Sequence, residues 1–128
     1  MKFERDSAEG RNSFSGYGEG YVQVGARRFN SSIVVSGDRL IEDWPASSVA
    51  ALAADHLAAI LALHPEIVLL GTGPTFVFPE PQRLAPLYEA RIGVEVMDTA
   101  AACRTYNILL AEGRNVVAAL IVQSRQGA

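Results

Sequence analysis

Along the chain, apolar and polar positions change rhythm twice. Tyr21-Val22-Gln23-Val24 alternates and stops at Gly25, and Phe29 to Val35 follows, closed by Ser36-Gly37-Asp38. Alternation between turn residues predicts an antiparallel hairpin, with Gly25-Ala26-Arg27-Arg28 near its turn. Arg39 to Trp44 extends the pattern as a third strand, stopped by Pro45.

From Ser47 the period becomes helical. Val49, Leu52, Ala53, Leu57, Ile60 and Leu63 share a side, and His64-Pro65 ends the segment as helices end before proline. Ile67 to Leu70 is a short apolar run closed by Gly71, which predicts a central strand buried on both faces. Pro81 to Ala90 reads as a second helix with proline in its first turn. Gly93 to Met97 is a strand, Ala100 to Glu112 a third helix capped by Asp98 or Thr99 and stopped by Gly113, and Asn115 to Gln123 a last strand. Strands that alternate with helices predict parallel pairing through right-handed crossovers. The expected fold class is therefore α/β, parallel strands joined by helical crossovers after an N-terminal antiparallel hairpin.

Residues 1–20 break this texture. They carry seven charges, four glycines and three serines, so a flexible arm is expected there, with Phe14 to Tyr21 docking on a single domain over 21–128. The arm is acidic as well as basic and has no apolar run, so it reads neither as a signal peptide nor as a mitochondrial presequence. A cytoplasmic location follows. Nowhere are 18 apolar residues consecutive, so no integral membrane segment is expected. The net charge of −3 offers no basic field for nucleic acid. One cysteine, Cys103, excludes an internal disulfide, and with only His56 and His64 beside it no zinc spacing forms. No metal or cofactor is expected.

Two loops follow parallel strands and so meet at the carboxyl edge of the sheet, where open α/β sheets bind ligands. One is Gly71-Thr72-Gly73-Pro74; the other is Asp98-Thr99. The glycines serve either a sharp turn or the close approach of an anion. Asp98 either caps the helix or places a carboxylate against such an anion. The pattern has no third glycine and is not a dinucleotide fingerprint. On the third helix, Ala102, Cys103, Tyr106, Leu109 and Leu110 make one apolar face, and Arg104 and Asn107 share a flank. Ala101 and Ile108 on the far side predict cover from more than one direction. Arg104 is expected to be semi-buried, held by backbone carbonyls or by Asp98 or Glu95, or else, with Asn107, to recognise an anion. Cys103 points with the core, which favours an inert thiol over a Cys–His nucleophile. His56 falls within the apolar face of its helix and is expected to be shielded. Phe76, Val77 and Phe78 lie in a proline-bounded loop. They either lid the domain's own sheet or, with Trp44, form an apolar patch for a partner.

These residues carry a family resemblance. Trp44-Pro45, Gly71-Thr72-Gly73 with the aromatic-proline loop, Gly93 to Met97, Ala102 to Asn107 and Glu112-Gly113-Arg114 resemble, in order and spacing over about residues 15–123, the mitochondrial complex I assembly factor 3 family and its short bacterial and archaeal relatives. The resemblance implies a three-layer α/β fold with a mixed central sheet and an added antiparallel hairpin layer, and carries over Gly71, Thr72, Gly73, Arg104, Thr105 and Asn107. It implies an assembly role with a protein partner and no catalysis. The leading expectation is a non-enzymatic interaction module, a monomer or weak homodimer, accessory to a membrane-associated complex. The alternative is a small anionic ligand held by Gly71, Gly73, Thr99, Arg104 and Asn107.

Overall fold

The computed structural model describes residues 11–123. The chain opens with three antiparallel strands, β1 (Phe14–Gly18), β2 (Tyr21–Val24) and β3 (Arg27–Phe29), paired in the order β1-β2-β3. Gly25, at φ +57°, makes the tight turn between β2 and β3, in a region that a side chain disfavours. β1 lies within the segment expected as an arm. Residues 14–18 are a sheet strand because Phe14 is a buried anchor, whereas residues 1–10 lie outside the described residues.

The central sheet has the order β5-β4-β8-β6-β7. Its strands are β4 (Ile33–Val35), β5 (Leu40–Ile41), β6 (Ile67–Gly71), β7 (Gly93–Met97) and β8 (Val116–Leu120). β8, β6 and β7 run parallel, and β4 pairs antiparallel with both β8 and β5. The segment expected as one strand, Phe29 to Val35, serves both sheets. It changes sheet at Ser32, whose hydroxyl accepts from Val122 N at 3.0 Å and whose carbonyl accepts from Trp44 N at 2.9 Å. The strand expected over Arg39–Trp44 shortens to two residues because Asp43 turns at φ +52° and sends Trp44 into the core.

Three α-helices complete the fold: α1 (Ala54–Leu61), α2 (Ala85–Glu89) and α3 (Thr99–Ala111). Two are shorter than their apolar periodicity suggests. Before α1, Ser48 caps a 3-10 turn over Val49–Ala51, then Leu52 and Ala53 are extended. The break is fixed from outside, since Arg83 Nη1 donates to Leu52 O at 2.8 Å. Pro81–Leu84 is likewise a 3-10 turn ahead of α2. α3 matches expectation: Asp98 Oδ1 accepts from Ala101 N at 2.8 Å as its N-cap, and Gly113 ends it at φ +80°.

The central sheet buries both faces. Val68, Leu70, Val117 and Ala119 pack on α1 and α2 with Trp44, while Leu69, Ala118 and Leu120 pack on α3 and the three-stranded sheet. The continuous apolar runs of β6 and β8 are the sequence signature of that double cover. The result is a three-layer α/β domain with a mixed central sheet, as the sequence predicts.

Candidate functional site

The carboxyl ends of the three parallel strands are stitched by one hydroxyl. Thr99 Oγ1 accepts from Gly73 N and donates to Ile121 O, each at 2.8 Å, and Thr99 N donates to Gly73 O at 2.9 Å. Gly71 O accepts from Ile121 N at 2.8 Å, and Thr72 N reaches Met97 O at 2.9 Å. These bonds explain the glycines. A Cβ on Gly71 would lie 2.9 Å from Thr99 Oγ1 and 3.0 Å from Thr99 Cα, and Gly73 sits at φ +105°. Above the seam is a cleft of about 220 Å³ between the β1–β2 hairpin tip, Pro74 and Asp98.

The residues expected to grip an anion come only partly together here. Gly73 N and the Thr99 hydroxyl reach the cleft but are bonded to each other and to Ile121. Asn107 lies elsewhere and holds a strand. Its Oδ1 accepts from Phe14 N and its Nδ2 donates to Phe14 O, both at 2.8 Å, so one side chain substitutes for a neighbouring strand along β1. Tyr106 Oη donates to Asn12 O at 2.8 Å alongside. Burial raises the Tyr106 phenol's pKa, so that donor stays protonated.

Arg104 differs from expectation: it is exposed, and its Nη1 donates to Tyr17 Oη at 3.0 Å rather than to backbone carbonyls, Asp98 or Glu95. Its guanidinium lies 5.8 Å from the Tyr17 ring centroid. β1 covers the flank of α3 that carries Asn107 and Arg104, which is why both turn towards the hairpin, whereas Ile108 on the far side, expected to be covered, is exposed. Sequence reasoning missed Asn12 and Tyr17 as partners. Their contacts cross 94 and 87 residues, and no local pattern marks them.

Cys103 is buried on the inner face of α3, and burial pushes its thiol up to about 12 despite the nearby Arg104 charge. At pH 8 native Cys103 is expected to react with a thiol reagent on the order of 1,000-fold more slowly than the unfolded chain. Stopped-flow labelling with and without urea measures this, and equal rates would refute an inert thiol. His56 is half-buried and uses Nδ1 to accept from Ala53 N at 3.0 Å, while His64 is exposed at φ +51°. Among the described residues no group of three His, Cys, Asp or Glu side chains is arranged to hold a metal.

The aromatic loop leaves the same edge. Thr72, buried, donates through Oγ1 to Thr75 O at 2.7 Å and accepts from Val77 N at 3.1 Å. That bracket holds the bend, and buried Pro79 seats its far end. Between them Phe76 is 56% and Phe78 77% exposed, with ring centroids 5.9 Å apart, so the loop does not lid its own sheet. Trp44 takes no part in this patch. It is buried, and its Nε1 donates to His56 O at 3.2 Å.

Fold and edge together define a small three-layer α/β domain that presents aromatic side chains from a braced loop. The chain belongs to the DUF498/DUF598 family, described as proteins of unknown function, which matches residues 14–121. A crystal structure of a Bordetella parapertussis protein is 40% identical with a TM-score of 0.83, covering 91% of this chain and 99% of that one. A Francisella tularensis protein named "13 kDa major membrane protein" is 28% identical over 94% of this chain and 99% of its own length. The Xenopus tropicalis "NADH dehydrogenase [ubiquinone] 1 alpha subcomplex assembly factor 3" is 32% identical over 94% of this chain. This chain covers 66% of that relative's length. The family thus includes proteins named as complex I assembly factors. Among the described residues, no helix is long and apolar enough to cross a membrane.

Proposed function

We propose that this chain is a non-catalytic interaction module, an accessory or assembly factor for a membrane-associated complex, that docks a protein partner through Phe76 and Phe78. The carrying observation is the loop itself. Two exposed phenylalanines are held outward by the buried Thr72 hydroxyl, so the apolar surface is presented in a fixed shape before any partner arrives. Pre-shaping lowers the ordering cost of association, and buried aromatic anchors dominate interface energetics. The names carried by relatives, an assembly factor and a membrane protein, support the same direction.

The test is affinity capture with the wild-type chain and the double variant Phe76→Asp, Phe78→Asp. Both side chains are exposed, so the variant is expected to melt within about 0.5 kcal/mol of wild type. It is expected to lose the specific partner. Identical partner lists from two equally folded proteins would rule the loop out.

A further inference from the structure

β7 is an edge strand whose outer row of backbone groups has no partner among the described residues. In the order β5-β4-β8-β6-β7 it closes one end of the central sheet, and among the described residues β6 is its one strand neighbour. Gly93 N donates to Glu66 O, and Met97 O accepts from Thr72 N, so Gly93 and Met97 face β6. Along a strand the groups alternate, which puts Glu95 with them and turns the N–H and C=O of Val94 and Val96 outward. Among the described residues nothing hydrogen-bonds those outward groups.

The other edges are blunted. On β1, Asn107 occupies both backbone groups of Phe14, whereas β3 spans three residues and β5 two. An open five-residue edge is a template for another strand.

We propose that β7 accepts an extended segment of a partner protein, added antiparallel, with a lysine or arginine opposite Glu95. In that pairing Val94 and Val96 each exchange two hydrogen bonds with the residue opposite. Glu95 then falls in the close, non-hydrogen-bonded pair, with Cα atoms about 4.5 Å apart. Glu95 is exposed and belongs to none of the ion pairs among the described residues. A cation opposite it is therefore favoured, and a carboxylate is repelled. The same contact argues against a second copy of this chain. The full-length self-pairing register, Gly93 against Met97, sets Glu95 directly against its own copy. Val94 and Val96 are half-buried on the helix α1 and α2 face, so the partner's residues opposite them extend an apolar surface.

The proposal rests on the reading of the chain as a partner-binding module, but not on the Phe76–Phe78 loop. Hydrogen exchange on the free protein comes first. The Glu95 amide is expected to be protected, and the Val94 and Val96 amides to exchange at least 100-fold faster. Protection of all three would mean that the edge is already covered, and would overturn the proposal.

The probe is a capped peptide with threonine at its ends and valine, lysine, valine between. At millimolar concentration it is expected to slow exchange at Val94 and Val96, and its counterpart with glutamate for lysine to bind at least tenfold more weakly. Val94→Pro removes an outward N–H, a loss that an edge strand tolerates, and is expected to abolish binding. Glu95→Lys is expected to reverse the peptide preference, and it remains informative should Val94→Pro fold poorly. No protection, no charge preference, or a concentration-dependent dimer that protects the same amides would each overturn the assignment. The Phe76→Asp, Phe78→Asp variant is expected to bind the peptide as wild type does. Partner capture insensitive to that variant therefore sinks the loop reading alone, and failure of the peptide sinks the edge alone.

Discussion

Tyr106→Ala is expected to destabilise the protein by about 3–5 kcal/mol, enough to remove most of the folding free energy of a domain this size. The ring is fully buried at the centre of the α3 face. It meets Phe14 edge-on at 5.1 Å between centroids, and its hydroxyl closes on Asn12 O. Truncation therefore leaves a large cavity, removes an aromatic pair and orphans a backbone carbonyl in one step. Tyr106→Phe separates these contributions, since it keeps the ring and loses only the hydrogen bond, at about 1 kcal/mol. Urea unfolding of the three proteins reads the difference. A Tyr106→Ala midpoint close to wild type would mean that α3 and the three-stranded sheet are not one core.

Gly71→Ala is the second large effect, expected at about 1–3 kcal/mol from overpacking. The added methyl would meet Leu120 Cδ2 at 2.8 Å as well as Thr99 Oγ1 and Cα. Leu120 can rotate, but Thr99 cannot retreat. Its hydroxyl joins two other strand ends and its amide holds Gly73 O. Relief of the clash must then break the stitch, so raised exchange at Gly73 and Ile121 amides is expected alongside the lower stability. Unchanged exchange there, with wild-type stability, would show that the seam is looser than its bond lengths state.

How much was legible follows from the range over which each feature is determined. β6, β7 and α3 were readable because their signals are local: an apolar run closed by Gly71, a glycine-started alternation, an Asp98 cap and a Gly113 stop. The family and the three-layer architecture followed from several such motifs in order. The interruptions were not readable. A helical period runs through Leu52 and Ala53, where the backbone is extended, and Arg83 bonds Leu52 O from 31 residues away. Trp44 resembled a surface aromatic beside Pro45, yet one turn at Asp43 buries it.

At the site, Gly71, Thr72, Gly73, Asp98 and Thr99 were recognised as one edge, and they do converge there. Thr99 is bonded to Gly73 and Ile121, and Asp98 caps α3, arrangements that sequence spacing cannot separate from ligand holding. Arg104 and Asn107 were paired correctly on one flank of α3. Their partners, Tyr17 and Phe14, could not be named without knowing that β1 returns to that helix.

The strand order has a further consequence, for the way the fold is completed. β8 lies between β4 and β6, yet it is the last strand among the described residues. Without β8 the sheet is two unconnected strand pairs, β4–β5 and β6–β7, and Val116–Leu120 is the strand that fills the slot between them. Both ladders of β8, to β4 and to β6, wait for that one insertion, so the two halves of the central sheet are joined in one non-local step.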